Sequence, residues 1–212
     1  MASLNQLAGY DYRFEKGTDD RGPVLLLLHG TGGDENDLIP FARLVAPAAD
    51  LVSVRGNVFE NGAARFFRRI AEGVFDLDDL ALRTANLLRF VSEAAEHHGF
   101  TTERMVALGF SNGANVAASM MFTDPKILRH AVLIRAMLPF EPAMLPDMKG
   151  CSALIAAGRT DRMIAAPMTE RLAELMRSAG ARVDLKWQEA GHGMTQADVN
   201  DARSYIQSWL VA

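Results

Sequence analysis

Met105-Val106-Ala107-Leu108-Gly109-Phe110-Ser111-Asn112-Gly113-Ala114-Asn115-Val116-Ala117 runs from a strand pattern into a helix pattern within a few residues. An apolar run of strand length ends at Phe110, and Ala114, Val116, Ala117, Met120 and Met121 then open a helix of small and apolar residues. Only Gly109-Phe110-Ser111-Asn112-Gly113 joins the two, a G-x-S-x-G turn from strand into helix. A serine hydroxyl is a poor nucleophile and must project from such a turn toward a base. Flanking glycines let the main chain make the turn without Cβ clashes. A tight turn with an incidental serine is the bland alternative, and the rest of the chain weighs against it.

Working outward, short runs rich in Val, Leu and Ile recur at 24–29, 51–55, 131–134, 153–157 and 183–187, and each reads as a buried strand. The weaker alternation at 10–14 suits an edge strand. Helical stripes lie between them. Leu80, Thr84, Leu87, Leu88, Val91 and Ala95 form one, opened by Asp76 and Asp78 and closed by Gly99; Met168, Leu172, Leu175, Met176 and Ala179 form another between Pro167 and Gly180. A third comprises Ala202, Tyr205, Ile206, Trp209 and Leu210. Strand and helix alternate, which predicts one α/β domain over residues 1–212, with a mostly parallel sheet of about seven strands and helices on both faces. Ligands then bind outside the carboxyl ends of the strands.

Two more such ends carry chemistry. Gly158-Arg159-Thr160-Asp161 puts a carboxylate after one late strand, and Gly191-His192-Gly193 puts an imidazole after the last. Ser111, Asp161, His192 is the chain order of a strand-end triad in which His192 takes the serine proton and Asp161 orients the ring. Asp161 has another reading, as a cap or a partner of Arg159 or Arg162. The glycine-rich loop Leu28-His29-Gly30-Thr31-Gly32-Gly33 follows the first core strand and offers the N–H of Thr31 to an oxyanion; Asn112, at a helix start, offers a second. A phosphate-binding loop is disfavoured, since neither a Walker lysine nor a full G-x-G-x-x-G is present.

H-G-T-G-G-D-E-N-D-L, G-F-S-N-G-A, G-R-T-D and G-H-G together resemble the phospholipase/carboxylesterase family, small lidless α/β-hydrolases related to acyl-protein thioesterases. The resemblance spans nearly the whole chain. It implies an α/β-hydrolase fold, a metal-independent esterase without cofactor, Ser111, Asp161 and His192 as triad, and Thr31 and Asn112 as oxyanion donors. Acyl-protein thioesterases of eukaryotes have glutamine where this chain has Asn112, and Arg135-Ala136-Met137-Leu138-Pro139 departs from their S-G pattern. The chain is therefore closer to bacterial carboxylesterase members, and small esters are favoured over long-chain depalmitoylation.

Other residues have two readings each. Phe59, Phe66, Phe67 and Phe75, within the irregular stretch 56–75, wall an acyl pocket or pack in the core. Arg65, Arg68 and Arg69 face an anionic substrate or form the solvated face of a short helix. His29 holds backbone near the oxyanion loop, and His97 and His98 suit a helix C-terminus. Cys151 and the histidines have no metal-ligand spacing.

Composition narrows the rest. With 212 residues, 49% apolar, and a net charge of −4, the chain buries one core and lacks the basic footprint of a nucleic-acid binder. One cysteine forms no internal disulfide, residues 1–7 lack a signal-peptide pattern, and no run approaches a membrane span. A cytoplasmic location follows as the expectation, and a homodimer through an apolar patch stays open. The expected activity is cleavage of a small-molecule ester through an acyl-enzyme. Acyl thioesterase and lysophospholipase activities use the same triad, and a ligand receptor uses the same fold without turnover.

Overall fold

The computed structural model describes residues 4–71 and 73–210, the side chains of 209 and 210 excepted. The main sheet has eight strands: β1 (Asn5–Leu7), β2 (Tyr10–Glu15), β3 (Val24–Leu28), β4 (Asp50–Val54), β5 (Met105–Phe110), β6 (His130–Ile134), β7 (Ser152–Gly158) and β8 (Arg182–Gln188). Their order across the sheet is β1-β2-β4-β3-β5-β6-β7-β8. From β4 to β8 every pairing is parallel, while β1–β2 and β2–β4 are antiparallel. The additional strand beyond the seven expected is β1, which folds back on β2 through Ala8 and Gly9, both at positive φ. Two central residues at positive φ make the hairpin turn whose twist matches its strands.

The alternation along each strand sorts side chains to two faces. Leu25, Leu27, Val106, Leu108, Val132 and Ile134 meet helices α1 (Ile39–Val45) and α5 (Gln196–Leu210). Leu26, Leu28, Ala107, Leu133 and Ile155 meet α2 (Leu77–His98), α3 (Asn112–Thr123) and α4 (Ala166–Ser178) on the other. Since β3 is buried at all five positions, with each leucine stabilising by about 1.5–3 kcal/mol, a charge anywhere in it would break both layers.

Local signals explain the helix ends. The Asp76 carboxylate accepts from the Asp79 N–H at the start of α2, and Gly99 ends it in the left-handed conformation. Pro167 lies in the first turn of α4. On α5, Ala202, Tyr205 and Ile206 are buried as expected; the side chains of Trp209 and Leu210 lie outside the described residues. Helix α1 carries too short a periodic pattern to be anticipated.

The stretch 56–75 is two small hairpins, not a short helix. Val58–Glu60 pairs with Ala63–Arg65 across Asn61-Gly62, both at positive φ, and Arg69–Ala71 pairs with Val74–Phe75. Residue 72 lies outside the described residues. Among the described residues no helix is long and apolar enough to cross a membrane.

Candidate active site

The site gathers at the carboxyl ends of β3, β5, β7 and β8. Ser111 has φ 52 and ψ −114, a strained conformation for a residue with a Cβ. Its N–H donates to Ile134 O at 2.9 Å, and its carbonyl accepts from Asn115 N at 2.9 Å. The glycines answer to crowding. A Cβ on Gly113 would lie 1.9 Å from Leu28 O, and one on Gly109 would lie 2.7 Å from the main chain of Ala114. Strand β3 thus presses on the turn from behind, and Ser111 alone takes up the positive φ.

His192 Nε2 is 2.9 Å from Ser111 Oγ, and His192 Nδ1 is 2.8 Å from Asp161 Oδ2. An ionised carboxylate only accepts, so Nδ1 carries the proton and Nε2 presents a lone pair to the serine. Asp161 is nearly fully buried, and its Oδ1 accepts from the N–H groups of Met163 and Ile164. One oxygen of this carboxylate thus faces the imidazole and the other caps its own loop. Arg159 pairs with Glu189 instead. The other nearby acids turn elsewhere: Glu141 pairs with Arg171, and Asp147 accepts from Lys149 N.

Thr31 and Asn112 line one cleft with Ser111 and His192, around a cavity of about 50 Å³. Among the described residues neither main-chain N–H has a protein acceptor. His29 secures the entry to the Thr31 loop: its Nε2 accepts from Gly56 N at 2.9 Å, which leaves Nδ1 to donate to Gly30 O at 2.6 Å. Burial pushes its pKa down, in keeping with a neutral ring that uses both nitrogens.

Known proteins can now be set beside this geometry. Residues 77–210 match the model of the phospholipase/carboxylesterase family. A Bacillus subtilis (strain 168) protein described as a hydrolase, MhqD, is 46% identical over 198 residues, covering 93% of this chain and 98% of that protein. The chain belongs to the phospholipase/carboxylesterase family. The Bacillus cereus carboxylesterase superposes with a TM-score of 0.92 at 44% identity, covering 94% of each chain. YahD, whose structure was determined with malic acid, superposes with a TM-score of 0.89 at 28% identity, covering 94% of this chain and 98% of its own. The protein is accordingly an α/β-hydrolase of the esterase type.

Within this esterase the four phenylalanines do not act together. Only Phe75 lines the cleft. Phe66 and Phe67 are fully buried core residues, Phe66 against His29 and Phe67 edge-on to Phe75, while Phe59 is 71% exposed beside a separate depression bordered by Ala8, Arg55 and Asn57. Phe59 faces outward from the first hairpin, while Phe66 and Phe67 lie in the link between the two hairpins, which turns back into the core. The arginines divide too: Arg65 and Arg69 line the cleft, whereas Arg68 points outward to Asp76 and Asp79. His97 and His98 lie in the last turn of α2; His98 is stacked on Phe14 and bonded to Tyr12, and burial lowers its pKa.

Arg135 is the site residue that pattern reading missed. Fully buried at φ 54, it donates from Nε to Gly191 O and from Nη2 to Gly193 O, the carbonyls on either side of His192. Its remaining N–H groups meet Ala156 O and both oxygens of buried Asp198. All five donors are used. The only sequence signal was a cation directly after the apolar run ending at Ile134. Among the described residues no group of three or more His, Cys, Asp or Glu side chains is arranged to hold a metal ion.

Proposed function

We propose that this chain acts as one domain to hydrolyse small carboxylic esters through an acyl-enzyme, with Ser111 as nucleophile. His192 takes the Ser111 proton as Oγ attacks the ester carbonyl and returns it to the departing alkoxide. It then deprotonates the water that attacks the acyl-serine, and the proton goes back to Ser111 Oγ as the acid departs. Asp161 holds the ring and stabilises its cation. The N–H groups of Thr31 and Asn112 meet the oxyanion. The observation that carries this reading is the unbroken Ser111–His192–Asp161 relay at 2.9 and 2.8 Å.

Short acyl groups are favoured over the long chains of a lysophospholipase or depalmitoylating thioesterase because the chain departs from the eukaryotic thioesterase pattern at Asn112 and at 135–139. The malic acid in YahD, a short-chain carboxylic acid, agrees with a product of that size. Ser111→Ala is expected to abolish both turnover of p-nitrophenyl acetate and labelling by a fluorophosphonate, with an unchanged circular dichroism spectrum. Substantial residual turnover would remove Ser111 from its role, and binding of an ester without turnover by the parent would favour a receptor.

A further inference from the structure

Among the described residues, the cleft beside Ser111 holds more hydrogen-bond donors than acceptors to meet them. Arg65 is 4% exposed, yet only two of its five N–H groups have hydrogen-bond acceptors among the described residues: Nε donates to Phe67 O at 3.2 Å and Nη1 to Thr31 Oγ1 at 2.6 Å. Arg69, on the second hairpin, opens to the same cleft. Glu60 stands between them, with Oε2 at 3.2 Å from each Nε. Those contacts lack hydrogen-bonding geometry, so that oxygen has no hydrogen-bond partner. Among the described residues, one carboxylate stands there against two guanidinium groups. Asn112 adds a second observation. Its Oδ1 accepts from Phe66 N, while its Nδ2 is buried with no partner among the described residues, in a residue that is 2% exposed and lines the cleft.

Buried donors are ordinarily satisfied, and an unmatched one carries a desolvation penalty that a ligand acceptor removes. Burial and the neighbouring Arg69 push the Arg65 guanidinium down from its usual range, with Glu60 opposing them. No carboxylate lines the cleft among the described residues. A planar arginine fork and an amide donor fit the two oxygens of a carboxylate. We propose that Arg65, Arg69 and the Asn112 side chain form an anion subsite, so that the preferred substrates are small esters bearing a second, ionised carboxyl group. The inference rests on the esterase reading above and narrows its substrate class.

Monomethyl succinate and methyl butyrate offer the same methyl ester with and without a terminal carboxylate. For the parent chain, kcat/KM followed by pH-stat is expected to be about tenfold higher for monomethyl succinate, the worth of one charge-assisted contact. That ratio should fall as ionic strength rises. Arg69→Gln and Arg65→Gln should each bring the ratio close to one. Arg68→Gln, the same loss of charge on the outward-facing neighbour, should leave it in place. A parent ratio near one, a ratio indifferent to both cleft variants, or one lowered as far by Arg68→Gln overturns the subsite. Should the parent cleave neither ester, calorimetric titration with succinate decides: binding lost in Arg69→Gln supports the subsite, and no binding to the parent overturns it. Fluorophosphonate labelling and p-nitrophenyl acetate turnover report separately on the esterase reading.

Discussion

Two buried arginines flank Ser111 and differ in how completely the protein satisfies them. Arg135, beneath the His192 loop, gives every donor to a carbonyl or to Asp198, with which it forms a fully buried ion pair. Arg65, on the cleft wall, is almost as buried but, among the described residues, keeps donors in reserve and shares the Glu60 carboxylate with Arg69. A satisfied buried cation belongs to the scaffold, and an unsatisfied one facing a cleft belongs to whatever enters it. Burial alone does not distinguish the two. Counting acceptors does.

The Arg135 side of this comparison matters only if the orientation of His192 matters, and that dependence carries the largest expected effect. Asp161→Asn, which keeps shape but favours the wrong tautomer, is expected to lower kcat by as much as ~10⁴ with little change in stability. Glu141→Gln and Asp147→Asn should stay within about tenfold of the parent, because their carboxylates are engaged elsewhere. If either of those collapses turnover while Asp161→Asn does not, the imidazole is held from another direction.

Next in size is the contrast in stability. Arg135→Met strands the Asp198 carboxylate in the interior and should lower urea-unfolding stability by about 3–5 kcal/mol. Arg65→Met leaves Glu60 with Arg69 and should lower it by no more than about 1.5 kcal/mol. Adding Asp198→Leu to Arg135→Met is expected to restore part of the stability, since it removes the stranded charge but also the acceptor of Thr195 N and Oγ1. Turnover should stay depressed, because the Gly191 and Gly193 carbonyls still lack their donors. Restoration of activity along with stability would show the clamp to be structural only.

The smallest effect concerns pH. His130 is bonded to Ser152 on one side, and burial, then Arg129 and Arg182, lowers its pKa to about 4. Between the ordinary histidine value of about 6.5 and that value, the unfolded chain binds a proton that the folded chain does not. Stability should therefore fall as pH drops through this window and level off below it. His29 and His98 are lowered as well and add in the same direction. Thermal unfolding of His130→Gln over this range should show a shallower slope than the parent; an identical slope would remove His130 as a contributor.

How much could be read from the sequence follows the same division between local and distant causes. Ser111, Asp161 and His192 stood out because each lies in a short glycine-bearing loop directly after an apolar run. The parallel core was legible because β3, β5, β6 and β7 are near-continuous apolar runs. Asn61-Gly62 was an available hairpin signal that went unused, and with it the placement of Phe59 and Arg65. Arg135 had no such signal, since Asp198 lies 63 residues away and only the folded sheet brings them together. The phenylalanines misled because composition does not show which rings sit on an outward hairpin strand, as Phe59 does, and which lie in the buried link between hairpins, as Phe66 and Phe67 do.

The serine turn has a further consequence. Its location follows from main-chain packing, with Leu28 O behind Gly113 and the start of α3 against Gly109, and from a side-chain tie, Asn112 Oδ1 accepting from Phe66 N. Lineages, or engineers, are thus free to redraw the cleft lining while the reactive oxygen keeps its address. Specificity can drift in this molecule without dragging the chemistry along.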